Sequence, residues 1–116
     1  MASTKEQINV CEDCGWSVRI DGDGDIELEN WSPAGEDLLF YVKKDEDFAS
    51  GVSEIAECFD VDEHVEPLVG IRGTRGVPSS VRVLVEDAYA IQDMLDELAM
   101  HLAIQEGEER VSDEED

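Results

Sequence analysis

The feature that most restricts the fold is a series of apolar residues in the last third of the chain. They recur at spacings of four and three residues, which places them on one face of an α-helix. Ser79 or Ser80 lies just before the series and is a suitable helix cap. The apolar stripe consists of Leu84, Ala88, Ile91, Leu95, Leu98 and Leu102. It predicts a core helix that packs on a sheet; the spacing also leaves open a coiled-coil-like dimer seam.

Strand patterns fill the first part of the chain. Residues 16–20 and 26–29 alternate apolar and polar side chains, and the DGDGD segment between them is rich in turn-forming residues. This arrangement predicts a β-hairpin. A second turn, at 31–35, precedes the apolar run LLFYV at 38–42. The run predicts a third strand, which we expect to be central or well covered in an antiparallel meander.

Three further segments have helical patterns. Ser3 and Glu6 form a capping box for a helix over 3–14, and Gly15 is a natural stop. Apolar residues at helical spacing favour a helix over 45–59. Residues 61–70 predict a short helix that Pro67 makes less regular.

These elements predict one α+β domain over residues 1–104, in the order α-β-β-β-α-(α)-α. The short first helix is followed by a three-stranded antiparallel meander, and two or three helices pack on one face of it. Residues 105–116 carry seven acids and one arginine. Since such a segment has little apolar surface to bury, we expect it to be a disordered acidic tail.

Charge excludes several classes of function. The chain has 31 Asp and Glu against eight Lys and Arg, a formal net charge of −23. Binding of nucleic acid through a basic face is excluded, because that affinity comes from Lys and Arg. An anionic membrane would repel the chain. The first 14 residues lack an apolar signal core, and three cysteines suit a reducing compartment, so a cytoplasmic location is expected.

Two motifs suggest metal sites but do not complete them. An EF-hand loop starting at Asp21 would need Gly and Glu where Ile26 and Ser32 stand. Cys11 and Cys14 have the spacing of a zinc knuckle, and the remaining ligands would have to come from Cys58 and His64. We therefore predict no cofactor and interpret the cysteines as small core residues, with zinc binding left open.

Catalytic patterns are also missing from the sequence. The GIRGTRG segment at 70–76 has no G-K-[ST] sequence, so it is not a phosphate-binding loop. His64 lies among Asp62, Glu63 and Glu66, which favours a protonated surface histidine over a catalytic base. A non-enzymatic protein is expected.

The acidic residues themselves are the remaining candidates for a site. On the last helix, Glu86, Asp93 and Glu97 fall on one stripe, which Asp87 and Asp96 broaden. We predict that a partner binds this stripe together with a second acidic set formed by Glu27, Glu29, Glu36, Asp37, Asp62 and Glu63.

Three segments resemble a group of small acidic proteins of mobile elements in gut bacteria. The segments are GWSVRIDGDGDIELENWSPAGEDLLFYV, FDVDEHVEPLVGIRGTRGVPS and LVEDAYAIQDMLDELAMHL. The resemblance implies a plasmid, phage or integrated conjugative element as the setting, and it carries no functional residues over. In composition, the charge is also similar to that of anti-restriction and anti-CRISPR proteins that mimic nucleic acid.

Two functions follow as hypotheses. The first is an inhibitor that mimics nucleic acid and blocks a basic, nucleic-acid-binding surface, such as that of a host defence nuclease. The alternative is a non-catalytic accessory subunit that docks or forms a homodimer through the apolar stripe Leu84–Leu102, with the charge serving solubility.

Overall fold

A computed structural model describes residues 4–74 and 76–114, with the side chains of residues 4 and 106–114 excepted. The described elements follow the predicted order. The helices and strands are α1 (Thr4–Asp13), β1 (Ser17–Ile20), β2 (Ile26–Trp31), β3 (Asp37–Val42), α2 (Phe48–Cys58), α3 (Val61–Val69) and α4 (Val81–Glu114). The prediction of an α+β fold is confirmed.

The strands form an antiparallel meander in the order β1-β2-β3. Ile26 pairs with both Ile20 and Val42, and Leu28 pairs with both Val18 and Phe40. Side chains alternate between the two faces of a strand. The even-numbered residues therefore form the inner face of the sheet, which includes the buried Ile26, Leu28, Leu38 and Val42.

Local signals in the sequence set the ends of two helices. Gly15 has φ +92°, the amide of Gly15 donates to the carbonyl of Glu12, and that of Trp16 donates to the carbonyl of Cys11. This is the Schellman arrangement, in which glycine ends the helix. Ser80 caps α4, since its Oγ accepts from the amide of Val83 at 3.4 Å. The capping box predicted at Ser3 lies outside the described residues.

The apolar stripe of α4 faces the core. Its six residues are 0–2% exposed. Ile91, Leu95, Leu98 and Leu102 share one apolar cluster with the inner face of the sheet, and Leu84 and Ala88 pack with Val65 of α3. The prediction of a core helix is confirmed. Because the stripe is buried, it leaves no exposed apolar seam at which a second chain could form a coiled coil.

The prediction that the third strand is central or well covered is wrong. β2 is the central strand, and β3 lies at an edge. Leu38 and Val42 are buried, whereas Leu39 and Tyr41 are 44% and 52% exposed. The alternation of buried and exposed residues in β3 could not be read from the sequence, because apolar residues occupy both faces of the strand.

The helix over 61–69 forms with Pro67 inside its last turn. The proline has no amide to donate to the carbonyl of Glu63, and because only two helical residues follow it, a bend at this point displaces a short segment only. α4 is assigned to Glu114, so helical backbone enters the segment 105–116. Since side chains from residue 106 on lie outside the described part, the disordered acidic tail stays a prediction.

Among the described residues, no helix combines the length and apolar character needed to cross a membrane.

Gly51 allows α2 to lie close to β3. A Cβ atom at this position would lie 2.7 Å from Cγ1 of Val42. Such a distance is shorter than van der Waals contact, and a valine in a packed strand has little freedom to move. The lack of a side chain at Gly51 therefore sets the distance between helix and sheet.

We expect Gly51→Ala to lower the free energy of unfolding by about 1–2 kcal/mol, although alanine is the better helix former. Urea denaturation measures the change. The control is the same substitution in a Val42→Ala background, where the clash is absent and the substitution should be neutral or stabilising. A stabilising effect in the parent chain would contradict this packing.

Candidate protein-binding surfaces

The exposed side of α4 carries the first predicted acidic stripe. Glu86, Asp93 and Glu97 are all exposed and lie opposite the buried apolar stripe. Arg82 forms an ion pair with Glu86 at 3.1 Å, and His101 Nε2 lies 3.7 Å from Glu97. Two of the three carboxylates therefore have a basic side chain on their own helix.

The outer face of the sheet carries three more of the predicted residues. Glu27, Glu29 and Asp37 are odd-numbered and point away from the core. Arg19 of β1 lies beside Glu27, and its Nη2 is 2.6 Å from Oε2. This hydrogen-bonded pair raises the pKa of Arg19, with Glu29 and Tyr41 adding to the effect.

The remaining three predicted residues lie around α3. Asp62 and Glu63 are exposed in its first turn. Glu36 precedes β3, and its Oε2 lies 2.7 Å from Nε2 of His64. The sequence placed His64 among acids of its own helix. In the structure this neighbouring carboxylate, that of Glu36, comes from the turn before β3, and the centroid of the His64 ring lies 5.2 Å from that of Phe59.

The nine predicted residues therefore do not form one patch. The inner face of the sheet and the apolar stripe of α4 meet in one core. Consequently the outer face of the sheet and the exposed side of α4 point in different directions. The acidic residues form at least two separate surfaces, and a single flat partner cannot contact both at once.

Asp87 belongs to the structural framework and not to the acidic stripe. Its Oδ2 accepts from Ser32 Oγ at 2.6 Å, and its Oδ1 accepts from the amide of Ala34 at 2.9 Å. Ser32 Oγ in turn accepts from the amide of Glu36. These hydrogen bonds hold the turn between β2 and β3 against α4.

Other carboxylates also have structural roles. Asp47 and Asp60 cap α2 and α3 by accepting from backbone amides. Asp21 Oδ1 accepts from the amides of Asp23 and Asp25, and Gly24 has φ +92°. The DGDGD segment is thus the predicted hairpin turn. Within the described residues, no group of three or more His, Cys, Asp or Glu side chains is arranged to hold a metal ion.

The three cysteines are free thiols in different environments. Cys11 is fully buried, and burial together with the neighbouring Cys14 and Glu12 raises its pKa from 9.0 to about 12. Burial, Glu97 and Asp13 also raise the pKa of Cys14. Cys58 is exposed. Because thiolates are the reactive form, Cys11 and Cys14 are poor nucleophiles in the folded protein.

We expect Cys58 to react first with Ellman's reagent at pH 8, and Cys11 to react only when the protein unfolds. The control is Cys58→Ser, which should remove the fast phase. The neutral Cys11 thiol contributes stability that is fully present below pH 9 and is lost as the pH rises toward 12. Modification of Cys11 in the fast phase would contradict this environment.

Sequence reasoning missed the exposed apolar residues on the outer face of the sheet. Trp31 is 53% exposed, and Leu39 and Tyr41 of β3 share its face. These three side chains lie among Glu27 and the other outer-face carboxylates. A shallow cleft of about 190 Å³ lies on this face, lined in part by Arg19, Glu27, Glu29 and Leu39. The open face of the sheet is hereafter this surface: Arg19, Glu27, Glu29, Trp31, Asp37, Leu39 and Tyr41.

Comparison with known proteins found no matching family model, curated protein or solved structure.

Proposed function

We propose that this protein binds a basic surface of another protein, of the kind that normally accepts nucleic acid, and blocks it by mimicry in the cytoplasm. A host defence nuclease is the most concrete partner. The observation that carries the proposal is the net charge of −23 in a chain of 116 residues. Charge of one sign repels itself and destabilises a compact state, so a binding role accounts for its retention.

The placement of the carboxylates supports this proposal. Asp93 and Asp37 are exposed and form no ion pair with a basic residue of the described chain, so they can pair with a partner's cations. Helical and strand backbones hold these carboxylates at fixed spacing. A fixed array loses less entropy on binding than mobile side chains on a disordered chain would.

The alternative role as a subunit that docks through Leu84–Leu102 has less support. The residues of this stripe are buried in the protein's own core. Docking through them would require α4 to leave the core. This would expose buried apolar area to water and so cost a large amount of free energy.

The experiment is an affinity pull-down from host lysate at low salt, eluted by a salt step and identified by mass spectrometry. We expect one enriched nucleic-acid-binding complex that is released by moderate salt and displaced by duplex DNA. Two matched baits, Glu86→Gln/Asp93→Asn/Glu97→Gln and Glu27→Gln/Glu29→Gln/Asp37→Asn, each remove three charges from one surface. The bait altered in the contact surface should retain less partner.

A different elution pattern would overturn the proposal. If the parent retains a broad set of unrelated basic proteins, and both altered baits retain the same set, the charge serves solubility alone.

A further inference from the structure

We infer that the open face of the sheet is a docking surface for an arginine-bearing segment of a partner protein. The inference rests on the proposed function, since it assigns the partner's chemistry and the surface that meets it. Two features of this face carry it: exposed aromatic rings in a rigid sheet, and carboxylates beside them on the same face.

The apolar residues of this face are adjacent to one another. Trp31 pairs with Asp37, so Leu39 is its diagonal neighbour on β3, and Tyr41 follows on the same face. Residues directly opposite on paired strands lie about 5 Å apart, and diagonal ones about 7–8 Å apart. Trp31, Leu39 and Tyr41, each 44–53% exposed, therefore form one continuous apolar patch on the sheet.

The carboxylates of this face lie beside the apolar residues on the paired strands β2 and β3. Glu27 pairs across the sheet with Tyr41, Glu29 with Leu39, and Asp37 with Trp31. Each apolar side chain therefore has a carboxylate opposite it. This arrangement matches a guanidinium group, which accepts aromatic stacking on its plane and carboxylates at its edge.

Arg19 shows that this face accommodates a guanidinium. Both its Nε, at 2.7 Å, and its Nη2, at 2.6 Å, contact Oε2 of Glu27, while the Arg19 side chain itself remains 78% exposed. Arg19 occupies only one of the three carboxylates. No described cation lies within ion-pair distance of Glu29 or Asp37.

Charge complementarity decides between the candidate occupants. A second copy of the chain would bring the same three carboxylates against each other, at a net charge of −23 per chain. A lysine-rich segment would neutralise the carboxylates of this face. Its ammonium groups, however, could not stack on the aromatic rings and contact the carboxylates at the same time, as a planar guanidinium does. The occupant that satisfies both features is an arginine-bearing segment.

The test compares nona-arginine with nona-lysine as probes, by isothermal titration calorimetry at 50 mM NaCl. The two peptides carry the same charge, so their ratio of affinities isolates the guanidinium. We expect the parent to bind nona-arginine about tenfold more tightly than nona-lysine. Trp31→Thr/Tyr41→Thr keeps strand-forming residues and should reduce this ratio to about one. The control Tyr89→Ala, which removes an exposed aromatic ring from α4, should leave it unchanged.

A second pair of variants tests whether binding depends on where the carboxylates lie or only on how many there are. Glu29→Gln/Asp37→Asn and Asp93→Asn/Asp96→Asn each remove two charges, from the sheet and from α4 respectively. The sheet variant should weaken nona-arginine binding about tenfold, and the α4 variant no more than about threefold. Urea denaturation of every variant shows that the fold is retained.

Three results would overturn the inference. They are equal affinity of the parent for the two peptides, equal weakening by the sheet and α4 variants, and a dimer in light scattering that Trp31→Thr/Tyr41→Thr dissociates. The failure of this inference can be distinguished from the failure of the proposed function. If the parent captures a basic partner that salt and DNA release, and the sheet variants capture it equally well, the function stands and this location is wrong.

Discussion

Replacement of Asp87 by alanine should lower the free energy of unfolding by about 2–3 kcal/mol. Asp87 accepts two hydrogen bonds from the turn between β2 and β3. Hydrogen bonds to a charged group contribute about 1.5–3 kcal/mol each, and partial exposure places these near the lower end. The substitution also leaves the amide of Ala34 and the hydroxyl of Ser32 without their acceptor. Urea denaturation followed by circular dichroism measures the loss.

The control for this prediction is Asp93→Ala on the same helix. It removes the same charge from an exposed position, so the free energy of unfolding should change by less than about 0.5 kcal/mol. Asp87→Asn should lie between the two, because it keeps an acceptor oxygen for one donor only. Equal effects of Asp87→Ala and Asp93→Ala would show that the turn does not depend on Asp87.

Replacement of Leu95 by alanine should lower the free energy of unfolding by about 3 kcal/mol. Leu95 is 1% exposed and packs in the cluster shared by α4 and the sheet. Truncation of a buried leucine loses transfer free energy and leaves a cavity, at a typical cost of about 2–5 kcal/mol. The measurements are urea denaturation and light scattering, which gives the oligomeric state of the folded protein.

This substitution also separates a core helix from a dimer seam. If the stripe is core, Leu95→Ala destabilises the fold and leaves the oligomeric state unchanged. The matched control is Met100→Ala, since Met100 is 53% exposed on the same helix and should change stability little. A parent dimer that Leu95→Ala converts to a stable monomer would restore the accessory-subunit hypothesis.

The order of elements was predictable because it rests on local patterns. Apolar spacing indicated α4, alternation indicated β1 and β2, and Gly15 and Ser80 marked helix ends. Each of these signals acts within a few residues of the chain. Physical rules for capping and periodicity therefore apply to them directly.

Contacts between distant residues were not predictable from the sequence. Ser32 and Asp87 are 55 positions apart, so Asp87 could not be told from its acidic neighbours. The same holds for the pairing of His64 with Glu36 and for the contact of Gly51 with Val42. Each depends on which elements pack together.

The candidate site was partly predictable for the same reason. Glu86, Asp93 and Glu97 follow from helical spacing and are exposed on one side of α4. On the open face of the sheet the carboxylates were predicted, but the exposed Trp31, Leu39 and Tyr41 were missed, because the run LLFYV gives no sign of which residues face outward. Once β2 is known to be central, the register assigns Leu39 and Tyr41 to the outer face.

Binding through charge is tested most directly by the affinity of the captured partner for this protein as a function of salt. The partner is purified, and the dissociation constant is measured from 50 to 200 mM NaCl with and without competing duplex DNA. Because binding relies on many carboxylates, we expect the affinity to fall at least about tenfold over this range and DNA to compete. An affinity that is independent of salt and unaffected by DNA would contradict binding of a nucleic-acid-binding surface through charge.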